Sequence, residues 1–218
     1  MNLSKAQVLL LGSAAIGLGI VLGAFLWLKL APRHGYRFSD AQSLEGLNNF
    51  GSVPEFALAE RNGKRVTLAD LRGKVWIADF IYTSCTDTCP LQSAAMAKLQ
   101  EQWSKQTDIE LVSFSVDPER DTPQVLARYA EHYQANATRW LFLTGDKGQM
   151  TRLVQEGFHL SATPALKSAS SEDVILHSPR FVLVDRAAQI RGYYDSRDAE
   201  ALRRMNKDLT SLLSNRKE

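Results

Sequence analysis

Apolar residues fall along this chain in three regimes. From Val8 to Leu28 they are almost continuous and carry no charge. A helix of that length crosses a bilayer core of roughly 30 Å. From Pro32 to Ser52 polar residues predominate, which predicts a tether. Beyond Ser52 short apolar runs alternate with amphipathic stretches, which predicts one compact domain. The expected division is an N-terminal transmembrane anchor over residues 1–31, a tether over 32–52 and a folded domain over 53–218.

A cleaved signal peptide is the rival reading of the first segment. Its apolar region would span only ~7–15 residues and end at a small-residue cleavage site. Here the run ends Leu26-Trp27-Leu28-Lys29-Leu30-Ala31-Pro32, which has no such site, and Trp27 suits the membrane interface. Lys5 lies before the segment and Lys29, Arg33 and Arg37 follow it, so charge alone does not orient it. Ala15, Gly19 and Gly23 share one helix face, a spacing that permits close helix contact but is also common in such helices.

Within the domain, Phe56 to Glu60 and Val66 to Leu68 flank an Asn62-Gly63 turn and predict a hairpin. Lys74 to Tyr82 and Ile109 to Val116 read as strands buried on both faces. Leu91 to Trp103 has helical spacing. Thr122 and Pro123 open another helix, as cap and first residue. Trp140 to Leu143 predicts a strand, and Lys147 to Glu156 a helix stopped by Gly157. Arg180 to Val184 and Gln189 to Tyr194 predict a terminal hairpin, followed by a closing helix from Asp198 to Leu213. Strands alternating with helices define an α/β three-layer sandwich.

The 26 basic and 24 acidic residues leave a net charge of +2. No basic stripe points to nucleic acid. The chemistry lies instead in the two cysteines, Cys85 and Cys89, between a buried strand and a helix. A helix N-terminus stabilises thiolates, so this turn suits redox or metal chemistry. A small structural disulfide is the plainer alternative. Among the four histidines, His34 falls in the tether, His132 in a surface helix and His159 in a polar stretch; each reads as an ordinary solvated or packed side chain. His177 stands apart: it lies two residues before Pro179, on the loop that a thioredoxin-like fold, which the strand–cysteine–helix order resembles, lays against the cysteine turn. Cys85, Cys89 and His177 together make a soft ligand set that suits copper, with zinc as a competitor. Three residues between the cysteines leave room for both sulfurs to face one metal, or to close into a disulfide. Asp117 and Asp121 follow the second buried strand and read equally as site-lining carboxylates or as turn and cap residues.

A cysteine pair after the first core strand resembles the thioredoxin-like fold. Pro179, six residues before Asp185, is similar to the cis-proline that opens a strand facing the active-site loop in that superfamily, which implies a cis Ser178–Pro179 peptide; a plain trans edge proline is the alternative. Three motifs carry a closer resemblance. They are Phe80-Ile-Tyr-Thr-Ser-Cys85-Thr-Asp-Thr-Cys89-Pro90, Ser115-Val-Asp-Pro118-Glu-Arg-Asp121-Thr-Pro123 and His177-Ser-Pro-Arg-Phe-Val-Leu-Val-Asp185. Together they are similar to the Sco/SenC family of membrane-anchored copper proteins that assist assembly of cytochrome c oxidase. The resemblance implies copper bound by Cys85, Cys89 and His177. It also implies an inner-membrane anchor with the domain in the periplasm, a copper donor, and oxidase subunit two as client. Thiol–disulfide reductase activity on the client's cysteines is the alternative. Two positions depart from the family pattern: Leu176 stands where an aspartate is usual, with Glu172 and Asp173 upstream, and Thr86 stands where proline is common.

Overall fold

The computed structural model describes residues 45–160 and 178–214. The apolar segment Val8–Leu28 and the ligand candidate His177 lie outside them. Among the described residues, no helix is long and apolar enough to cross a membrane.

The elements run β1 (Ala57–Glu60), β2 (Arg65–Thr67), α1 (Leu68–Leu71), β3 (Val75–Ile81), α2 (Thr88–Gln102), β4 (Ile109–Ser115) and α3 (Pro123–His132). They continue with β5 (Trp140–Thr144), α4 (Lys147–Arg152), a π-helical turn (Leu153–Gly157), β6 (Arg180–Val184), β7 (Ile190–Asp195) and α5 (Ala199–Ser214). One mixed sheet holds all seven strands in the order β2-β1-β5-β4-β3-β6-β7. β3, β4 and β5 are parallel, and β6 returns antiparallel beside β3. The thiol turn therefore emerges at the carboxyl end of interior strands, where sheets of this kind place their sites.

Side-chain alternation along β3 builds both faces of the sheet. Trp76, Ala78 and Phe80 join one apolar cluster, with α1, α4 and the π-helical turn. Val75, Ile77 and Ile81 join the other, beneath α2, α3 and α5. Every residue of β3 and β4 is buried, as the continuous apolar runs predict.

Local signals place most element ends. The Thr122 hydroxyl caps α3 by accepting from Val125 N–H at 3.4 Å, with Pro123 in the first position. Gly157 ends the π-helical turn where Pro54 packs so closely that a Cβ would stand 2.8 Å from its ring. The short α1 was not expected: Thr67 and Asp70 form a capping box there. Residues near the end of the polar stretch 32–52 lie along the sheet. Phe50 N–H donates to Ile190 O at 3.0 Å, and the Leu47 and Asn48 carbonyls accept from Arg191.

One expectation is corrected. The Ser178–Pro179 peptide is trans, and no cis peptide occurs among the described residues. In this arrangement the carbonyls on both sides of the bond find donors. Ser178 O accepts from Gln92 Nε2 at 3.3 Å, and Pro179 O accepts from Ser196 N–H at 2.8 Å and Ser196 Oγ at 2.7 Å. Trans is already the favoured X–Pro isomer by roughly 0.5–1 kcal/mol, so nothing here drives the bond to cis.

Candidate metal centre

β3 ends at Ile81, and the chain turns through Tyr82–Asp87 into α2. That helix begins three residues earlier than its apolar spacing suggested, so Cys89 sits in its first turn and Cys85 just before it. Both cysteines are free thiols, 8% and 1% exposed respectively. The Cys89 N–H points at Cys85 Sγ, 3.4 Å away.

This geometry splits the two thiols. Burial pushes the Cys85 thiol up, but backbone N–H groups of Cys89 and Asp87 and the Tyr82 hydroxyl stabilise its thiolate. The net result is a pKa below the ordinary thiol value. Burial pushes the Cys89 thiol well up, and Cys85 beside it adds to the shift. The Tyr82 phenol is likewise raised, by burial and then by Cys85. Cys85 is therefore the thiol that ionises first.

Asp79 lies on the cysteine face of β3, between Ile77 and Ile81. It is fully buried, and neither carboxylate oxygen makes a hydrogen bond of good geometry, although the Ser113 hydroxyl lies near enough to act on its charge. Burial raises its pKa to about 7, and Ser113 offsets only part of that rise. Nothing in the residue pattern singled Asp79 out; an acidic residue inside an otherwise apolar strand was the available signal.

Asp121 resolves the ambiguity noted for the second motif. Its buried carboxylate accepts from Thr83 N–H at 3.1 Å, from the Thr83 hydroxyl at 2.5 Å and from the Ser115 hydroxyl at 2.7 Å. It faces the cysteine loop rather than capping α3. Asp117 instead shapes the turn: its carbonyl accepts from the N–H groups of Arg120 and Asp121, and its carboxylate pairs with Arg120 at 3.2 Å.

Of the histidines, the described residues include His132 and His159. His132 ends α3 with its ring edge-on to Tyr133. His159 is exposed. Neither belongs to a cluster with the cysteines, and among the described residues no group of three histidine, cysteine or acidic side chains can hold a metal ion. Buried Gln92, one turn beyond Cys89 on α2, holds the Ser178 carbonyl, so the chain directly after His177 runs beside the cysteine helix.

A thiol pair at the mouth of a helix, on a mixed sheet closed by a hairpin and a last helix, defines a thioredoxin-like domain. The chain belongs to the SCO1/SenC family, whose model matches residues 46–214. It is 38% identical over 168 residues to the SCO1 protein homolog of Bacillus subtilis, covering 76% of this chain and 81% of that protein. The structure of BsSco, described as a member of the Sco family of cytochrome c oxidase assembly proteins with a disulfide switch, superposes with a TM-score of 0.64 at 28% identity. That match covers 78% of this chain and 97% of that one. Copper-bound Arabidopsis thaliana ScoI superposes with a TM-score of 0.60 at 25% identity, covering 74% of this chain and 99% of that one.

Proposed function

We propose that this protein is a membrane-anchored copper chaperone that helps load the dinuclear copper site of cytochrome c oxidase subunit two. Copper is its cargo, received from a donor protein and held by Cys85, Cys89 and His177. The observation that carries the reading is the pair of free thiols at the mouth of α2, one of them with a lowered pKa. The Gln92–Ser178 hydrogen bond supports His177 as the third ligand, because it ties the next residue to the cysteine helix. Soft sulfur ligands with one imidazole suit copper in both oxidation states. Affinity falls as pH falls, because protons compete for the thiolates. Closure of the pair to a disulfide gives two electrons to an exchanging disulfide and removes both sulfur ligands, which releases the metal.

The anchor is residues 1–31, single-pass in a bacterial inner membrane. Residues 32–52 form the tether, its end lying along the sheet, and the domain over 53–218 stands in the periplasm. The likeness to Sco proteins supports this arrangement, as does the apolar run Val8–Leu28.

A second reading, a thiol–disulfide reductase acting on the client's cysteines, is favoured by the split between the two thiols. One low and one high thiol pKa is the pattern of an attacking and a resolving cysteine. Anaerobic titration of the reduced protein with copper separates the readings. One copper per chain, with sulfur-to-metal charge-transfer absorption in the copper(II) form that is lost in Cys89→Ser and altered in His177→Ala, is the expected result. No such band, or an unchanged one in Cys89→Ser, would sink the chaperone and leave the reductase.

A further inference from the structure

The carboxylate of Asp121 is fully buried, and its partners lie in the cysteine loop or directly beneath it. Thr83 precedes Cys85 by two residues. Its N–H stands 3.1 Å and 3.3 Å from the two oxygens, and its hydroxyl donates to Oδ1 at 2.5 Å. Ser115, the last residue of β4, donates to Oδ2 at 2.7 Å. From behind, the Asp121 N–H donates to Asp117 O at 2.9 Å, which fixes the backbone that presents the carboxylate.

Burying a carboxylate is costly unless donors converge on it. With three donors, two of them hydroxyls, it becomes a strong charge-assisted acceptor, and losing it strands buried donors. The carboxylate reaches the turn only through Ser115, whose hydroxyl also accepts from the Asp117 N–H at 3.2 Å. Backbone bonds from Arg120 and Asp121 to Asp117 O close the turn, and Thr122 caps α3. The side chain acts only on Thr83 and Ser115.

We infer that Asp121 is a positioning residue for the cysteine pair: it pins Thr83 to the end of β4 and so keeps Cys85 Sγ against the Cys89 N–H in the reduced protein. The inference rests on the reversible thiol chemistry of the proposed function. When the pair closes, two thiols lose two protons and two electrons, an S–S bond forms, and the disulfide of an exchanging reagent is reduced to two thiols. Closure turns Cys85 Sγ from a thiol or thiolate sulfur into a disulfide sulfur, a poorer acceptor for the Cys89 N–H that now points at it. A pinned loop therefore favours the reduced pair, and an unpinned loop favours the disulfide.

The test is a copper-free redox titration of the protein against reduced and oxidised dithiothreitol, with thermal unfolding measured beside it. Thr83→Val keeps the shape and the backbone N–H but loses the hydroxyl; Thr83→Ser restores a hydroxyl. In Thr83→Val the equilibrium shifts about tenfold toward disulfide, which is about 30 mV for this two-electron couple. Asp121→Asn shifts it at least as far, and Thr83→Ser stays within about twofold of the parent. If Asp121→Asn fails to fold, the two Thr83 variants decide the matter. A Thr83→Val midpoint within about twofold of the parent, or one moved toward the dithiol, overturns the inference. So does a parent pair that does not titrate reversibly. Failure of the parent to bind copper overturns the proposed chaperone function and leaves this measurement intact.

Discussion

The two faces of the sheet are buried equally well and built differently. On one, Trp76, Phe80, Phe114 and Phe158 meet at ring-centroid distances of 5.0 to 6.4 Å, among aliphatic neighbours. On the other, the apolar cluster shares its space with Asp79, Gln92, Ser93, Ser113, Cys85 and Cys89. Aromatic packing and apolar burial stabilise the first face. The second gives up some of that stabilisation to hold polar groups under a reactive loop. Stability and chemistry are thus divided between opposite sides of the same strands, and each side can be perturbed while the other reports.

The largest effect is expected on the aromatic face. Phe114→Ala removes a fully buried ring that touches Phe56, Trp76, Phe80 and Phe158. Such truncations cost about 3–5 kcal/mol. Urea unfolding should register that loss, while the midpoint potential of the cysteine pair stays at the parent value. A shifted potential would show that the faces are not separable.

The next effect is on the cysteine face and depends on pH. Asp79 has an ordinary pKa of 3.8 and a folded value of about 7. Between those values the folded state holds a proton that the unfolded chain has lost, so stability falls as pH rises through this window. At about 1.4 kcal/mol per pKa unit, the full loss is about 4 kcal/mol, reached above the folded pKa. Asp79→Asn keeps the shape and carries no charge. Its stability relative to the parent should therefore climb by up to about 4 kcal/mol from pH ~4 to pH ~8, read from paired urea midpoints. A difference that is flat with pH would mean that Asp79 ionises without penalty.

Sheet and helices were largely legible because their signals are local. The apolar runs gave β3 and β4, Thr122 with Pro123 gave the start of α3, and Gly157 gave an end. Three features were not legible, for separate reasons. The alternation through Val66 to Leu68 continued the strand reading past Thr67, whereas the Thr67–Asp70 capping box turns Leu68–Leu71 into a helix. The start of α2 at Thr88 has no side-chain cap to announce it, so apolar spacing placed the helix late. The partners of Asp121 are 38 and six residues away in sequence, and no spacing rule separates such a carboxylate from one that merely closes a turn. The cysteine pair was visible at once; the buried groups that set its chemistry were not.

A smaller effect is expected at Gln92, where the two halves of the proposed site meet. Its amide donates to Ser178 O at 3.3 Å and to Arg180 O at 3.4 Å. Gln92→Met keeps the volume and leaves those carbonyls short of a donor, at a cost of about 1–2 kcal/mol. If His177 is a ligand, copper affinity should fall more than stability does, and the potential of the copper-free pair should hold. Equal loss of both would make Gln92 a packing residue only.

The smallest change in stability, and the sharpest test of what the cysteine side is for, concerns Leu91. It is 65% exposed, the one large apolar side chain so exposed among the described residues, and it stands two residues beyond Cys89 on the outer side of α2. An isolated exposed leucine is common on protein surfaces. On the proposed function it stands beside the turn that a client would approach to receive metal or exchange a disulfide, and the transfer test rests on that reading. Leu91→Ser should change the urea midpoint by no more than about 0.5 kcal/mol, as surface substitutions usually do. It should leave copper binding and the cysteine potential at parent values, because no hydrogen bond of the thiol turn involves its side chain. Transfer of copper to the soluble domain of oxidase subunit two should nevertheless slow, with the loss in encounter rather than in chemistry, so that raising the client concentration restores the rate. Unchanged transfer across the whole concentration range would remove Leu91 from the docking surface and leave the aromatic and cysteine faces to account for the protein without it.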